Sequence, residues 1–238
     1  MLRAKGQLVP RQPRYFLPDM PQHVVMRGVD KQATFFASDD YALFLEVLAK
    51  EATKSYCSIH AYVLMTNHVH LLLTPHEKRS IPKLIQGLGR GYVQTVNRRY
   101  DRTGTLWQGR YKACLVQEDH YFLACQRYIE LNPVRAGIVS DPATYAHSSY
   151  RRNALGTTHA LLTPHRCYMG LGRSDAERCI AYRRLFEAAI DQPLIDTIRK
   201  STNSCRVLGN EVFTDQIEAM LKRRIRPAKR GRPVRSSA

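Results

Sequence analysis

The chain has 238 residues, with 37 Lys and Arg against 20 Asp and Glu, a formal charge of +17. Its hydrophobic share of 44% and charged share of 24% are ordinary globular values and exclude wholesale disorder. No apolar run approaches the ~20 residues of a membrane span, and the first ten residues lack the apolar core of a secretory signal.

The charge is unevenly placed. Residues 1–14 carry Arg3, Lys5, Arg11 and Arg14 without an acid; residues 221–238 carry eight Lys or Arg without an acid, which leaves +5 for residues 15–220. Basic tails of this kind suit a polyanion, and nucleic acid is the commonest. The six cysteines lie far apart and form no C-x-x-C pair, so neither a zinc knuckle nor a disulfide framework is indicated. Reduced thiols in a cytoplasm are expected.

His23 to Val29 reads as a short strand. Ser38 is placed to cap a helix over about 39–54, with Asp39 and Asp40 in its first turn and Leu43, Phe44, Val47 and Leu48 at helical spacing. Residues 57–65 and 68–74 are rich in apolar and β-branched types and flank Thr66-Asn67, the pattern of an antiparallel hairpin. Residues 81–99 carry a helical stripe interrupted by Gly87, Gly89 and Gly91, which either weaken the helix or admit a close partner. A loop rich in Arg, Gly and aromatics spans 100–112, and a strand follows at 113–117. A helix begins at Asp119 and ends near Leu131 or Asn132, before Pro133. Beyond about 145 the strand signals fade. Ser174 and Glu177 form a capping box for a helix to about Ile190, and shorter helices are expected near 193–200 and 212–224.

The order is roughly β-α-β-β-α-β-α. An antiparallel sheet with helices packed on one face satisfies it, an α+β architecture. The chain divides into a basic tail at 1–14, a main domain at 15–150, a helical accessory region at 151–220 and a basic tail at 221–238.

Four groups of residues can do chemistry or hold nucleic acid. His68 and His70 flank Val69 on a strand, so both imidazoles point to one face, about 7 Å apart, and can converge on one metal ion. Tyr128 and Asn132 are four apart and share a helix face. A phenol is a weak nucleophile at neutral pH unless its target is a phosphodiester polarised by a cation; otherwise Tyr128 is a core aromatic and Asn132 a helix cap. Trp107, Arg110 and Lys112 combine an aromatic with cations, as suits single-stranded nucleic acid. The tail segment around Lys229, Arg230 and Arg232 has the Arg-Gly-Arg-Pro core of an AT-hook, which inserts Arg into a narrow minor groove.

Taken together, Asn67-His-Val-His-Leu-Leu-Leu73, Trp107-Gln-Gly-Arg-Tyr-Lys112 and Tyr128-Ile-Glu-Leu-Asn-Pro-Val-Arg-Ala-Gly137 resemble the single-tyrosine HUH transposases. Among these the closest likeness is to the REP-associated tyrosine transposases, over roughly residues 15–150. The resemblance implies a ferredoxin-like sheet with both histidines on a central strand and the tyrosine on a following helix. It implies that His68 and His70 bind Mg²⁺ or Mn²⁺. Tyr128 would attack a DNA phosphate to leave a 5′-phosphotyrosine and a free 3′-OH, with no nucleotide cofactor. Insertion-sequence members place Gln four residues after the tyrosine as a third ligand; here Asn132 stands there, while Glu130 points elsewhere on the helix. Arg98, Arg99 and the cations of the 100–112 loop would hold the flanking strand. The implied substrate is single-stranded DNA with a hairpin, REP-like or at an insertion-sequence end, bound by a monomer or a homodimer.

Three readings compete: a tyrosine transposase or nickase-ligase, a ferredoxin-like nucleic-acid-binding protein without catalysis, and a metal-dependent hydrolase using water. Tyr111 and Tyr121 are rival nucleophiles.

Overall fold

A computed structural model describes residues 14–226 apart from Phe16. The basic tail residues Lys229, Arg230 and Arg232 lie outside the described residues.

Five strands form one sheet in the order β2-β3-β1-β4-β5. They are β1 (Gln22–Arg27), β2 (Cys57–Met65), β3 (His68–Pro75), β4 (Lys112–Val116) and β5 (Val207–Leu208). The first four pair antiparallel; β5 pairs parallel to β4, so the sheet is mixed. The hairpin turns at Thr66-Asn67, as its sequence predicts. The short β5 lies where strand signals were judged absent: two residues leave no alternation to read, and its pairing to Leu115 and Val116 is supplied by the rest of the sheet.

The helices are α1 (Ser38–Lys54), α2 (Ser80–Leu88), α3 (Gln94–Arg99), α4 (Glu118–Glu130), α5 (Asn132–Arg135), α6 (Tyr150–Leu155), α7 (Arg166–Met169), α8 (Asp175–Arg184), α9 (Gln192–Ser204) and α10 (Glu211–Leu221). The α+β class stands, and the expected single layer of helices becomes two. On one face Val24, Met26, Val69, Leu71 and Leu73 pack with Phe44 and Leu48 of α1 and Ile81, Leu84 and Leu88 of α2. On the other, Leu72, Val63, Cys114 and Val116 pack with Phe122, Cys125 and Ile129 of α4 and Ile195 and Ile198 of α9. The reason is visible in β3, which is apolar on both faces beyond His70, as a strand covered on both sides must be. Each large side chain so buried contributes about 1.5–3 kcal/mol before entropy is counted.

Two local expectations are revised. The residue before the first turn of α1 is Ala37, not Ser38; the third residue in, Asp40, accepts hydrogen bonds from the backbone N–H groups of Phe36 and Ala37 at 2.8 and 3.0 Å. After α4, Pro133 does not end helical structure but opens the single turn of α5, where its missing N–H costs nothing.

The glycine-bearing helix is nearly continuous: α2 runs through a π turn, Gly89–Val93, into α3. A Cβ at Gly87 or Gly91 would meet the side chains of Glu51 and Val47 of α1, whereas one at Gly89 meets nothing within 4 Å. Two of the three glycines thus serve the close approach of α2 and its π turn to α1.

Candidate active site

Strand alternation delivers the site. Val24 and Met26 of β1 enter the α1-side core, so His23, Val25 and Arg27 face the other way; likewise Val69 and Leu71 of β3 enter that core and His68 and His70 do not. The β1–β3 register sets Arg27 opposite His68 and Val25 opposite His70. These side chains line a cleft of about 790 Å³ together with Tyr128 and Asn132, which reach it from α4 and α5.

The phenol and the imidazoles do meet. The His68 and His70 ring centres are 5.1 Å apart, and the Tyr128 ring stands edge-on to His70 at 6.1 Å. All of these groups belong to one chain. Tyr128 is 6% exposed and His70 7%, so the reacting groups are recessed. Burial holds all three local histidines neutral: His68 is lowered to about 4, His23 to about 3, and His70 well below its ordinary value, with nearby cations adding to the effect.

Both imidazoles are held through Nδ1. His68 Nδ1 lies 2.6 Å from Asn67 Oδ1, and Asn67 is itself oriented by donating Nδ2 to Lys31 O. His70 Nδ1 lies 2.7 Å from Nε2 of His23. This leaves the two Nε2 atoms as the ligand-type nitrogens. These two nitrogens and Asn132 Oδ1, all on residues lining the one cleft, are the atoms that could hold a divalent cation such as Mg²⁺ or Mn²⁺.

Asn132 has other duties as well. Its Nδ2 donates to the carbonyls of Tyr128 and Ile129, and its Oδ1 accepts from Arg135 Nη2 at 2.9 Å. The capping role is therefore realised, and one lone pair of Oδ1 remains for a further partner.

The cleft is strongly basic. Arg14, Arg27, Arg110, Lys112, Arg135 and Arg199 line it, and no carboxylate does. Lys112 is oriented by Asn203 at 2.6 Å. Trp107 lies outside this cleft: it packs near Phe44 and Tyr92 and lines an adjoining cavity of about 330 Å³, which shares Arg27, Gln108 and Arg110 with the main cleft. Arg98 is exposed on α3 and lines neither space. Arg99 pairs with the buried Asp40 at 2.7 Å, so it holds α3 to the start of α1.

His23, Arg27, Arg135, Arg199 and Thr202 lie at the cleft without having been singled out from the sequence. Only the first two left a readable trace, because His23 and Arg27 share one face of a strand. Arg199 and Thr202 come from α9, whose placement against β4 has no local signal.

A transposase model described as "Transposase IS200 like" matches residues 17–132, a span holding both histidines, Tyr128 and Asn132. Residues 17–132 belong to the IS200-like transposase family. A solved REP-associated tyrosine transposase, bound to a REP hairpin, shares the fold with a TM-score of 0.55 at 15% identity, over 66% of this chain and 93% of that one. A Deinococcus radiodurans crystal structure, named only provisionally as a transposase, aligns with a TM-score of 0.36 at 20% identity, over 50% of this chain and 95% of the other. No curated protein matches the chain. The match over residues 17–132 supports DNA processing of the transposase kind for that part of the chain. Among the described residues no helix is long and apolar enough to cross a membrane.

The rival nucleophiles are set differently. Tyr111 lines the cleft with Arg14 stacked 3.5 Å over its ring. Tyr121 is two turns before Tyr128 on α4, about 10 Å along the axis, and is not among the residues lining the cleft. A separate trio, Glu118, His165 and Cys167, brings three ligand-type atoms within 4.8 Å of one another near the other end of α4. Its groups are already engaged: His165 Nδ1 accepts from Cys167 N–H, and Glu118 pairs with Arg166. A metal on His165 Nε2 would put a proton on Nδ1, facing that N–H. The trio therefore does not fit a metal as it stands.

Proposed function

We propose that the cleft cleaves and rejoins single-stranded DNA beside a hairpin, using Tyr128 as the nucleophile. The observation that supports this reading is the Tyr128 ring 6.1 Å from the His70 ring, in a cleft whose charged lining residues, among those described, are all Arg or Lys.

The Tyr128 oxygen attacks the phosphorus as the bond to the 3′ oxygen breaks. The phenol loses its proton, the departing 3′ oxygen gains one, and the 5′ side stays on the protein as a phosphotyrosine. Attack by the 3′-OH of another strand reverses the step, so bond energy is conserved and no nucleotide is consumed. His68 and His70 would hold Mg²⁺ or Mn²⁺ through Nε2, with Asn132 Oδ1 as the third donor. When bound, such a cation neutralises charge on the scissile phosphate. Arg135 sets a positive charge beside the ring of the attacking group, and the recessed cleft keeps competing water away from it. Arg14, Arg110 and Lys112 would grip the flanking strand, and Trp107 would stack an unpaired base in the adjoining cavity. Arg98 would extend this contact outward. The hairpin-bound neighbour supports a hairpin in the substrate.

The test is incubation with labelled hairpin oligonucleotides and Mn²⁺, followed by denaturing electrophoresis and mapping of the adducted residue. A covalent adduct on Tyr128, absent in Tyr128→Phe, is expected. Cleavage persisting in Tyr128→Phe would overturn the proposal; without an adduct it would point to water as the nucleophile, and with one to a rival tyrosine such as Tyr111.

A further inference from the structure

We propose that His23 is a positioning residue that fixes which nitrogen of His70 faces the cleft, and that helix α9 anchors it through Thr202. The inference rests on the reading of His70 as a metal ligand and deepens it.

The argument follows the protons. Thr202 Oγ1 donates to the carbonyl of Ile198, one turn earlier in α9, at 2.8 Å. A hydroxyl has one proton, so toward His23 Nδ1, at 2.9 Å, Thr202 can only accept. His23 Nδ1 therefore carries the hydrogen. A neutral imidazole has only one, which leaves His23 Nε2 as a lone pair. That lone pair lies 2.7 Å from His70 Nδ1, so His70 must donate there. His70 Nε2 is then the bare nitrogen, the form that a cation requires. The relay thus runs from the α9 backbone through Thr202 and His23 to His70, and every proton in it has one placement.

The surroundings keep the relay rigid. His23 is 1% exposed, and its ring lies edge to edge with that of His70 and nearly in its plane, with centres 5.0 Å apart and planes 20° apart. Tyr128 stands edge-on to His23 at 6.0 Å, which limits sideways movement. Cys114 Sγ lies 3.4 Å from Thr202 Oγ1, so the hydroxyl is enclosed. Ligating histidines are ordinarily oriented by a partner on their other nitrogen, and losing that partner costs about 10–100-fold in metal affinity. Here the partner is another imidazole, reached across the β1–β3 pairing and tied to Thr202, 179 residues further along the chain. With His23 removed, His70 is free to carry its hydrogen on Nε2 and block the ligand position.

The experiment measures Mn²⁺ binding to the full chain without DNA, by electron paramagnetic resonance of free Mn²⁺. It compares the parent protein with His70→Ala, His23→Leu, His23→Gln and Thr202→Val. Long-range ¹⁵N–¹H spectra of the metal-free proteins report the His70 tautomer, and thermal melts report folding. His23→Leu should weaken Mn²⁺ binding about 10–100-fold and mix the His70 tautomers. His23→Gln should recover most of the affinity, because an amide oxygen can accept from His70 Nδ1–H. Thr202→Val should fall between, and it decides the question if His23→Leu does not fold. A folded His23→Leu or Thr202→Val with parental affinity and a single Nδ1–H tautomer would overturn the inference. Equal affinity in the parent and His70→Ala would sink the ligand assignment instead, and the tautomer spectra would still decide the role of His23.

Discussion

The guanidinium of Arg135 lies 4.0 Å over the ring centre of Tyr128, while its Nη1 donates to the Tyr128 carbonyl at 2.9 Å. One side chain thus braces both ends of the residue that carries the proposed chemistry. Burial lowers the Arg135 pKa and the Tyr128 hydroxyl acts against that shift, but the group stays cationic because guanidinium hardly deprotonates in proteins.

Replacing Arg135 by Met should keep an apolar cover on the ring and remove the charge. Adduct formation is expected to slow by about 10²–10³-fold, the usual loss for one preorganised donor at a transition state. Arg135→Lys should recover part of it. Single-turnover rates at saturating oligonucleotide, with a melt to confirm folding, would check this. An unchanged rate in Arg135→Met would limit Arg135 to capping α4.

The stability of the chain should carry two opposed pH dependences. Glu130 is fully buried, and burial pushes its carboxyl up to about 7 against hydrogen bonds from Ser149, Asn153 and Tyr182. Its folded pKa exceeds its unfolded value. The stability it contributes is therefore complete below about 4.5 and declines as the pH climbs through about 7. The neutral histidines run the other way: His23, His60, His68 and His165 are all lowered, so their contribution is present above 6.5 and lost as the pH falls through about 4. Melting curves between pH 5 and 8 should show Glu130→Gln gaining on the parent as the pH rises. A difference independent of pH would mean that Glu130 does not titrate in this window.

The glycines of the α2–α3 helix should separate by position. Gly89→Ala should stabilise by about 0.5–1 kcal/mol, because the new methyl meets open space and the backbone is already helical. Gly91→Ala should destabilise by about 1–3 kcal/mol, because a Cβ there would lie 2.7 Å from a Val47 methyl. Denaturant midpoints would read both, and the same sign for the two would refute this account of the packing.

DNA binding should weaken steeply with salt. Arg110→Ala and Lys112→Ala should each make the slope of log affinity against log salt shallower by about 1, if each neutralises one phosphate. Arg98→Ala, with its parent side chain outside the cleft, should change the slope less. Filter binding of an oligonucleotide at several salt concentrations would measure all three.

Local patterns carried the hairpin, α1 and the placement of His68, His70 and Tyr128, because strand alternation and helical spacing are readable over a few residues. What escaped depends on contacts far apart in the chain. His23 was read only as the first residue of a strand; its meeting with His70 needs the register of β1 against β3. Thr202 lies beyond the helix expected near 193–200, and its role needs α9 to run on to Ser204 and to lie on β4. The second layer of helices was implied by apolar residues on both faces of β3, but strand length alone does not say what covers them. Asn132 was readable both as a ligand and as a cap. The structure displays its capping bonds, since those partners are local.

Glu130 lies two residues beyond Tyr128, on the opposite side of α4, and is grasped by groups from the Ser149 turn, α6 and α8. Any excursion that swung Tyr128 away on its helix would have to tear this carboxyl from three donors and strand all four groups without water. The segment after residue 145 thus ties down the helix that carries Tyr128, and trimming it back should loosen Tyr128 before it harms the histidine strand.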